Sequence, residues 1–528
     1  MPPGSLPGGD RPGRQPSGGV PAIIRRRLAP FDTRLDVNSW IATAVVVAIA
    51  AIVRLVGLDE PKGKIFDEIY YATDAHNLLT RGFEWDEKNN TAAYVVHPPL
   101  GKWMIALGEW TFGYNEFGWR ISAALVGTLS VLLLVRIGRR LFQSTVLGCA
   151  AGLLMALDGF HLVLSRTALL DIFLLFFMLA AFGALVLDRD ARRRRWLRAI
   201  ESGLDPSRPG RAGRPGFSLQ GVPWWRLLAA VLLGCGTAVK WSALAFVLVF
   251  AVLVLFWEAG TRRSVGVRRP WRDTLLDEVG WLALCGGLLV VTYVATWSGW
   301  LFTEGGYFRN WRADEVPLID PLKNLYEYHK AALNFHTGLT TSHVYQSWPW
   351  QWLLLGRPVA FYWSSSGPCG AESCAAEVLL LGTPLLWWSF LPALVAVIWL
   401  GVARRDWRAA AILLPVAAGL LPWFYYALDS RTMFYFYAAP ALPFLVLAVV
   451  YVLGAIMSPV PSANGSAPTG STVGTETGLD RRMIGSIFAG AYVLLVAMCF
   501  AYFYPIYVGQ PIPYVDWSAR MWLGGRWI

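Results

Sequence analysis

The sequence predicts an all-α polytopic membrane protein with about eleven transmembrane helices. Three observations carry that reading. Hydrophobic residues make up 55% of the 528 and charged residues only 15%, and mean hydropathy is +0.44, too apolar for an ordinary soluble chain of this length. Apolar runs near the span length of ~20 residues recur along the chain. The basic residues sit in short clusters between those runs, so the positive-inside rule accounts for the formal charge of +11 without nucleic acid.

Residues 1–36 read as a disordered cytoplasmic tail, because the first 22 are rich in Pro, Gly and Arg and poor in bulky apolar side chains. Arg25, Arg26, Arg27 and Arg34 precede the apolar run from Trp40 to Leu58. That run exceeds the core of a cleavable signal peptide, which predicts an uncleaved first helix with its arginines in the cytoplasm. Further spans read at 118–137, 146–164, 169–187, 226–240, 242–257, 279–299, 379–402, 409–427, 434–457 and 483–504. The two around Lys240 are short, but fusing them would break the charge alternation downstream. A membrane domain over 37–505 and a C-terminal tail over 506–528 follow.

With this count every basic cluster falls on one side: Arg136, Arg139 and Arg140; Arg189 with Arg192 to Arg195; Arg262, Arg263, Arg268 and Arg269; Arg404, Arg405 and Arg408; Arg481 and Arg482. That side is predicted to be the cytoplasm. Loops 188–225 and 458–482 read there as flexible connectors. The opposite side receives loop 58–117, the turns at Ser165–Thr167, Lys240–Trp241 and Asp429–Arg431, loop 300–378 and the C-terminal tail. Loop 58–117 is acidic, with Asp59, Glu60, Asp67, Glu68, Asp74, Glu84, Asp86 and Glu87. Loop 300–378 is rich in Trp and carries His329, His336 and His343, a composition that suits segments lying in the lipid interface.

The adjacent carboxylates Asp67 and Glu68 are costly beside a membrane unless they meet water, a cation or a substrate. Activating an acceptor hydroxyl calls for a carboxylate within hydrogen-bond reach, and a phosphate leaving group calls for Arg, Lys or His. Asp67 fits the first role. Arg120, Lys240 and Arg431, all at outer helix ends, fit the second; any one alone more often anchors to lipid headgroups, and it is their common side that makes the group telling.

Phe66-Asp67-Glu68, Val96-His97-Pro98-Pro99-Leu100-Gly101-Lys102 and Gly118-Trp119-Arg120 together resemble the first outer loop of the protein O-mannosyltransferases, a family of GT-C glycosyltransferases. Arg166 to Asp171, Thr237 to Ser242, Phe335-His336 through Ser347-Trp348-Pro349-Trp350, and Arg431 to Tyr437 are similar to the same family in the same order. Loop 300–378 has no room for the beta-trefoil domain of eukaryotic members, so the resemblance is to the actinobacterial branch. It implies a GT-C fold in the plasma membrane, with the N-terminus cytoplasmic and the site and C-terminus outside. It implies transfer of mannose, with inversion, from polyprenyl phosphate mannose to Ser or Thr of proteins, possible coupling to the secretion translocon, and contact with membrane lipids. By carry-over Asp67 is the general base, Glu68 orients acceptor or base, Arg120, Lys240 and Arg431 hold the donor phosphate, and His97 and His343 line the site.

Other residues stay open between roles. Asp171, beside Arg166, suits a structural ion pair or a catalytic place equally. Lys102 is open between headgroup anchoring and substrate contact, and Trp348 lies in the Trp-rich block. His336 and His343 lack the carboxylate that a metal site would want. No cofactor is named, and a divalent metal requirement is left open. Cys369 and Cys374, in a polar outer loop, suit a disulfide. The rival readings are a GT-C enzyme acting on a lipid or polysaccharide, and a transporter, which the one-sided polar residues and the lack of an internal repeat disfavour.

Overall fold

The computed structural model describes residues 22–29, 36–207, 221–312, 319–457 and 481–527. In chain order the helices are α1 Ala22–Leu28, α2 Val37–Leu55, α3 Glu68–Arg81, α4 Leu100–Phe112, α5 Glu116–Phe142, α6 Thr145–Ala156, α7 Gly159–Ser165, α8 Asp171–Glu201, α9 Trp224–Thr237, α10 Ala243–Ser264, α11 Pro270–Ala295, α12 Ser298–Phe302, α13 Ile319–Gly338, α14 Pro349–Trp352, α15 Pro384–Arg404, α16 Trp407–Leu428, α17 Leu442–Met457, α18 Arg481–Val508 and α19 Tyr514–Ser518. Strands are β1 Trp85–Asp86, β2 Thr91–Ala92, β3 Val359–Ser364, β4 Cys374–Leu380 and β5 Ile512–Pro513.

Local chemistry sets the helix starts. Asp36, Asn115, Ser144, Asp158 and Asp406 each accept a backbone N–H in the first turn of α2, α5, α6, α7 and α16, satisfying donors that the helix itself cannot reach. Asp158 also breaks the predicted span 146–164. It caps α7 while accepting from Thr383 N and Trp387 Nε1, each at 2.9 Å, and α6 and α7 meet at a 65° bend.

Among the described residues nine helices are long and apolar enough to cross a membrane, or ten with the bent pair as one span. The expected eleventh, α9, has 14 residues, and about 21 Å of helix is short of a ~30 Å hydrocarbon core. The α8 and Tyr435–Met457 spans run through the middle of the bundle, and α11 is the most exposed of the nine.

The basic clusters do gather at one end. Arg139 reaches Asp36 at 3.8 Å, and Arg226 binds Asp188 at 2.6 Å. Arg192 binds Glu258 at 2.9 Å and also Glu278. Arg192 and Arg226 are buried in ion pairs, and the stretch 188–201, expected to open a flexible connector, continues α8. Extending the helix is what carries Arg192 to carboxylates on α10 and α11. The remainder of that connector at 208–220, and 458–480, lie outside the described residues.

Three further expectations change. Ala22–Leu28, inside the predicted tail, is helical and packs Leu28 against Trp196 and Val265; residues 1–21 lie outside the described residues. The all-α reading misses a small sheet of order β3-β4-β5. Its last strand comes from the supposed C-terminal tail, where Ile512 pairs with Ala375, Trp517 Nε1 donates to Glu377 at 2.6 Å and the buried Trp527 donates to Leu355 O at 2.7 Å. Cys369 and Cys374 are disulfide-bonded in the β3–β4 connection.

Candidate active site

Asp171 and Arg192 sit on one helix at 1.5 Å per residue, so the candidate site lies about 30 Å from the arginine end. Asp67 is presented by a sharp turn. Phe66 adopts a left-handed φ of 47°, a conformation costing a non-glycine residue of order 1–3 kcal/mol unless its surroundings hold it. Here the Phe66 ring stacks on Phe361 at 4.4 Å and meets Phe436 edge-on at 6.0 Å. Asp67 occupies the N-cap of α3, yet its side chain makes no capping bond. Burial pushes its pKa up to about 6; Lys240 opposes the rise and Asp171 adds to it.

Glu68, next in sequence, has a different environment. It is fully buried, as is Arg120. Arg120 donates from Nε to Oε1 at 2.8 Å and from Nη2 to Oε2 at 2.9 Å. Ile65 N donates to Oε2 and Ala168 N to Oε1, both at 3.0 Å. The remaining Arg120 hydrogens go to the carbonyls of Leu58, Pro61 and Gly63. The pair clamps the loop carrying Asp67 onto α5 and the α7–α8 turn. All its polar groups have protein partners, so the pair holds the loop in place.

A cavity of about 310 Å³ opens beside Asp67, with His97, Asp171, Lys240, Trp241, His336, Trp423, Tyr426, Arg431 and Tyr437 in its wall. Asp67 is not in that wall; it shares the field of Lys240 and Asp171, which are. Lys240 Nζ donates to Asp171 Oδ2 at 2.7 Å, so Asp171 has the ion-pair partner left open above, in Lys240 rather than Arg166. Arg431 Nε donates to His336 O at 2.8 Å and Nη1 to Thr432 O at 3.2 Å. Its Nη2 has no bond within the described residues. The guanidinium lies 5.7 to 5.9 Å from the rings of Tyr426, Tyr437 and Trp423. His97 packs on His336 at 5.2 Å; burial and the surrounding Lys240, Lys102 and Arg431 push its pKa well below the usual range, keeping it neutral.

The structure thus brings His97, Asp171, Lys240 and Arg431 to one cavity with Asp67 at its side. Lys102 is elsewhere: it is fully buried and paired with Glu84 and, at 3.7 Å, Asp74. His343 is exposed, with Nδ1 accepting from Tyr345 N at 3.1 Å, and Trp348 stacks on Trp350 at 5.5 Å; neither lines the cavity. Sequence reasoning did not single out Trp241, Trp423, Tyr426 or Tyr437, and weighed His336 only as a metal ligand. Trp241, His336 and Tyr437 stand in the very blocks that carry the family resemblance. Among the described residues no group of three or more His, Cys, Asp or Glu side chains is placed to hold a metal ion.

The family model for dolichyl-phosphate-mannose-protein mannosyltransferase matches residues 44–204, and that for the C-terminal four-span region of protein O-mannosyltransferase matches 321–527. A polyprenol-phosphate-mannose–protein mannosyltransferase of Mycolicibacterium smegmatis is 40% identical, covering 95% of each chain. The chain belongs to the protein O-mannosyltransferase family. Proteins of the same description from Mycobacterium tuberculosis, 39% identical over 96% of this chain and 95% of theirs, and Corynebacterium glutamicum, 34% over 93% of each, extend the similarity. In fold, this member of the family is similar to a chain of the S. cerevisiae protein O-mannosyltransferase Pmt1-Pmt2 complex bound to the sugar donor. The TM-score is 0.68 at 16% identity, covering 95% of this chain and 94% of that one. ArnT from Cupriavidus metallidurans in the apo state matches at a TM-score of 0.51 and 15% identity, over 90% of this chain and 78% of that one. The GT-C architecture predicted from sequence is the one observed.

Proposed function

We propose that this protein transfers mannose from polyprenyl phosphate mannose to Ser or Thr hydroxyls of proteins, inverting the anomeric carbon, on the outer face of the membrane. The names of its relatives support the donor and the protein acceptor. The observation that carries the chemistry is the uncapped, half-buried Asp67 beside a cavity holding an arginine whose Nη2 has no hydrogen bond among the described residues.

In this reading the acceptor hydroxyl gives its proton to the Asp67 carboxylate as its oxygen attacks the anomeric carbon. The bond from that carbon to the phosphate oxygen breaks, and the electron pair leaves with polyprenyl phosphate, which gains one negative charge. Arg431 meets that charge with Nη2, and Lys240, shared with Asp171, adds a second cation; preorganised donors of this kind act most strongly where water is excluded. His97, held neutral, serves as a hydrogen-bond partner for the sugar. Acceptors arriving unfolded from the secretion translocon would present their hydroxyls on the side where Asp67 stands.

The test uses purified full chain, polyprenyl phosphate mannose and a Ser/Thr-rich peptide. Asp67→Asn is expected to lower turnover by about 10²- to 10⁴-fold, the range for general-base catalysis, with donor binding retained. Near-normal turnover removes Asp67 from the role. Labelling of a lipid acceptor in place of the peptide overturns the proposed substrate.

A further inference from the structure

A second cavity, of about 350 Å³, lies at the arginine end of the bundle between α2, α5, α8 and α9. Its mouth is cationic: Arg136, Arg139 and Arg140 line it, and among the described residues no carboxylate does. Trp40 and Trp225, near the first residues of α2 and α9, flank the arginines, the position where indoles mark a membrane interface. Below them the wall is apolar and partly open, with Leu133, Leu228 and Leu232 reaching about two helical turns, or ~10 Å, further in. Gly183 lets α8 pack closely on α5 there, since a Cβ would come within 3.0 Å of Ile137 Cδ1.

The charge at the mouth is in excess. Arg136 donates to Ser39 Oγ at 3.2 Å and Thr43 Oγ1 at 3.3 Å, lies 3.9 Å over the Trp40 ring, and meets no carboxylate among the described residues. Arg139 donates from Nε to Thr145 Oγ1 at 3.2 Å and, among carboxylates of the described residues, reaches the half-exposed Asp36 at 3.8 Å. Arg140 Nε binds Asp190 at 2.7 Å, but Asp190 is shared with Arg189, and the buried Arg140 Nη2 has no hydrogen-bond partner. Arg136 and the Arg140 Nη2 are thus left without a carboxylate partner among the described residues, beside a slot of ordinary ligand size. Basic pockets between membrane helices are matched by acidic headgroups, whose phosphate accepts from guanidinium while the acyl chain covers the apolar wall.

We propose that this cavity holds one phospholipid with an anionic headgroup, its phosphate between Arg136 and Arg140 and its acyl chain along Leu228 and Leu232. The site is separate from the mannosyl-transfer cavity and on the far half of α8 from Asp171.

Full-length protein stripped of lipid in detergent is titrated with phosphatidylglycerol, with phosphatidylcholine of the same acyl chains, and with inorganic phosphate, reading bound mass by native mass spectrometry. One phosphatidylglycerol is expected to be retained about tenfold more tightly than phosphatidylcholine, whose choline cation is repelled by the arginines that hold the same phosphate. The Arg136→Gln/Arg140→Gln double variant should lose that preference, and Leu228→Trp should weaken retention of both lipids without altering a charge. Equal retention of the two lipids by the parent protein overturns the proposal without recourse to any variant. So does inorganic phosphate binding as tightly as phosphatidylglycerol, or phosphatidylglycerol binding that neither substitution changes.

Discussion

Glu68→Gln tests the proposed division between a structural acid and a catalytic one at adjacent positions. The carboxylate accepts four hydrogen bonds, two on each oxygen. An amide keeps only one of those oxygens. If it replaces Oε1, Arg120 Nε and Ala168 N lose their acceptor; if it replaces Oε2, Arg120 Nη2 and Ile65 N lose theirs. Either way a buried guanidinium is left without its counter-charge, and the introduced N–H group faces other donors. Removing one partner of a buried pair costs about 3–5 kcal/mol; because Gln keeps the shape and one acceptor, about 3 kcal/mol is expected. The measurement is unfolding in detergent, read alongside the initial rate of mannosyl transfer per folded molecule. Glu68→Gln should lose stability, and Asp67→Asn should lose turnover without unfolding earlier than the parent, since the Asp67 side chain makes no capping bond and its charge is desolvated in the folded state. A Glu68→Gln protein as stable as the parent, within about 1 kcal/mol, but with turnover reduced as in Asp67→Asn, would refute the assignment and return Glu68 to the chemistry.

Because burial pushes Asp67 up to about 6, the acid limb of the pH–rate profile should bend near that value, and Asp67→Asn should abolish the bend. Arg431→Lys keeps the charge but loses the planar fork, and should raise the donor KM about tenfold; an unchanged KM would place the phosphate elsewhere. Glu377, buried with only Trp517 Nε1 against it, is pushed up from 4.5 to about 7. The folded state thus holds a proton that the unfolded chain releases, a contribution present below 4.5 and lost as pH rises through about 7. Glu377→Gln should flatten the stability profile across that window, and an unaltered profile would contradict it. Opening the five-residue disulfide loop with Cys369→Ser should cost about 2 kcal/mol, measurable as a lowered unfolding midpoint that reductant no longer shifts.

Apolar runs of span length, clusters of arginine between them and Asp67 in an acidic outer loop were all legible in the sequence, because hydrophobicity and charge act locally and need no partner to be recognised. The blocks around His97, Asp171, Lys240 and Arg431 were legible too, as residue types at outer helix ends. What the sequence could not assign was which charge meets which. Asp67 and Glu68 are neighbours along the chain, yet one helical position turns Glu68 inward onto Arg120 and leaves Asp67 without a cap. Lys102 and Lys240 both looked like outer cations, yet one is buried against Glu84 and the other shares Asp171 at the cavity. The break at Asp158, the helix through the arginines to Glu201 and the strand at Ile512 likewise depend on partners far away in sequence: Trp387, Glu258 and Glu278, and Ala375. Sequence by itself determined the membrane class and the family. Only the tertiary structure decided which carboxylates and cations are spent on each other and which remain free, because the cost of burying a charge depends on the partner that folding brings to it.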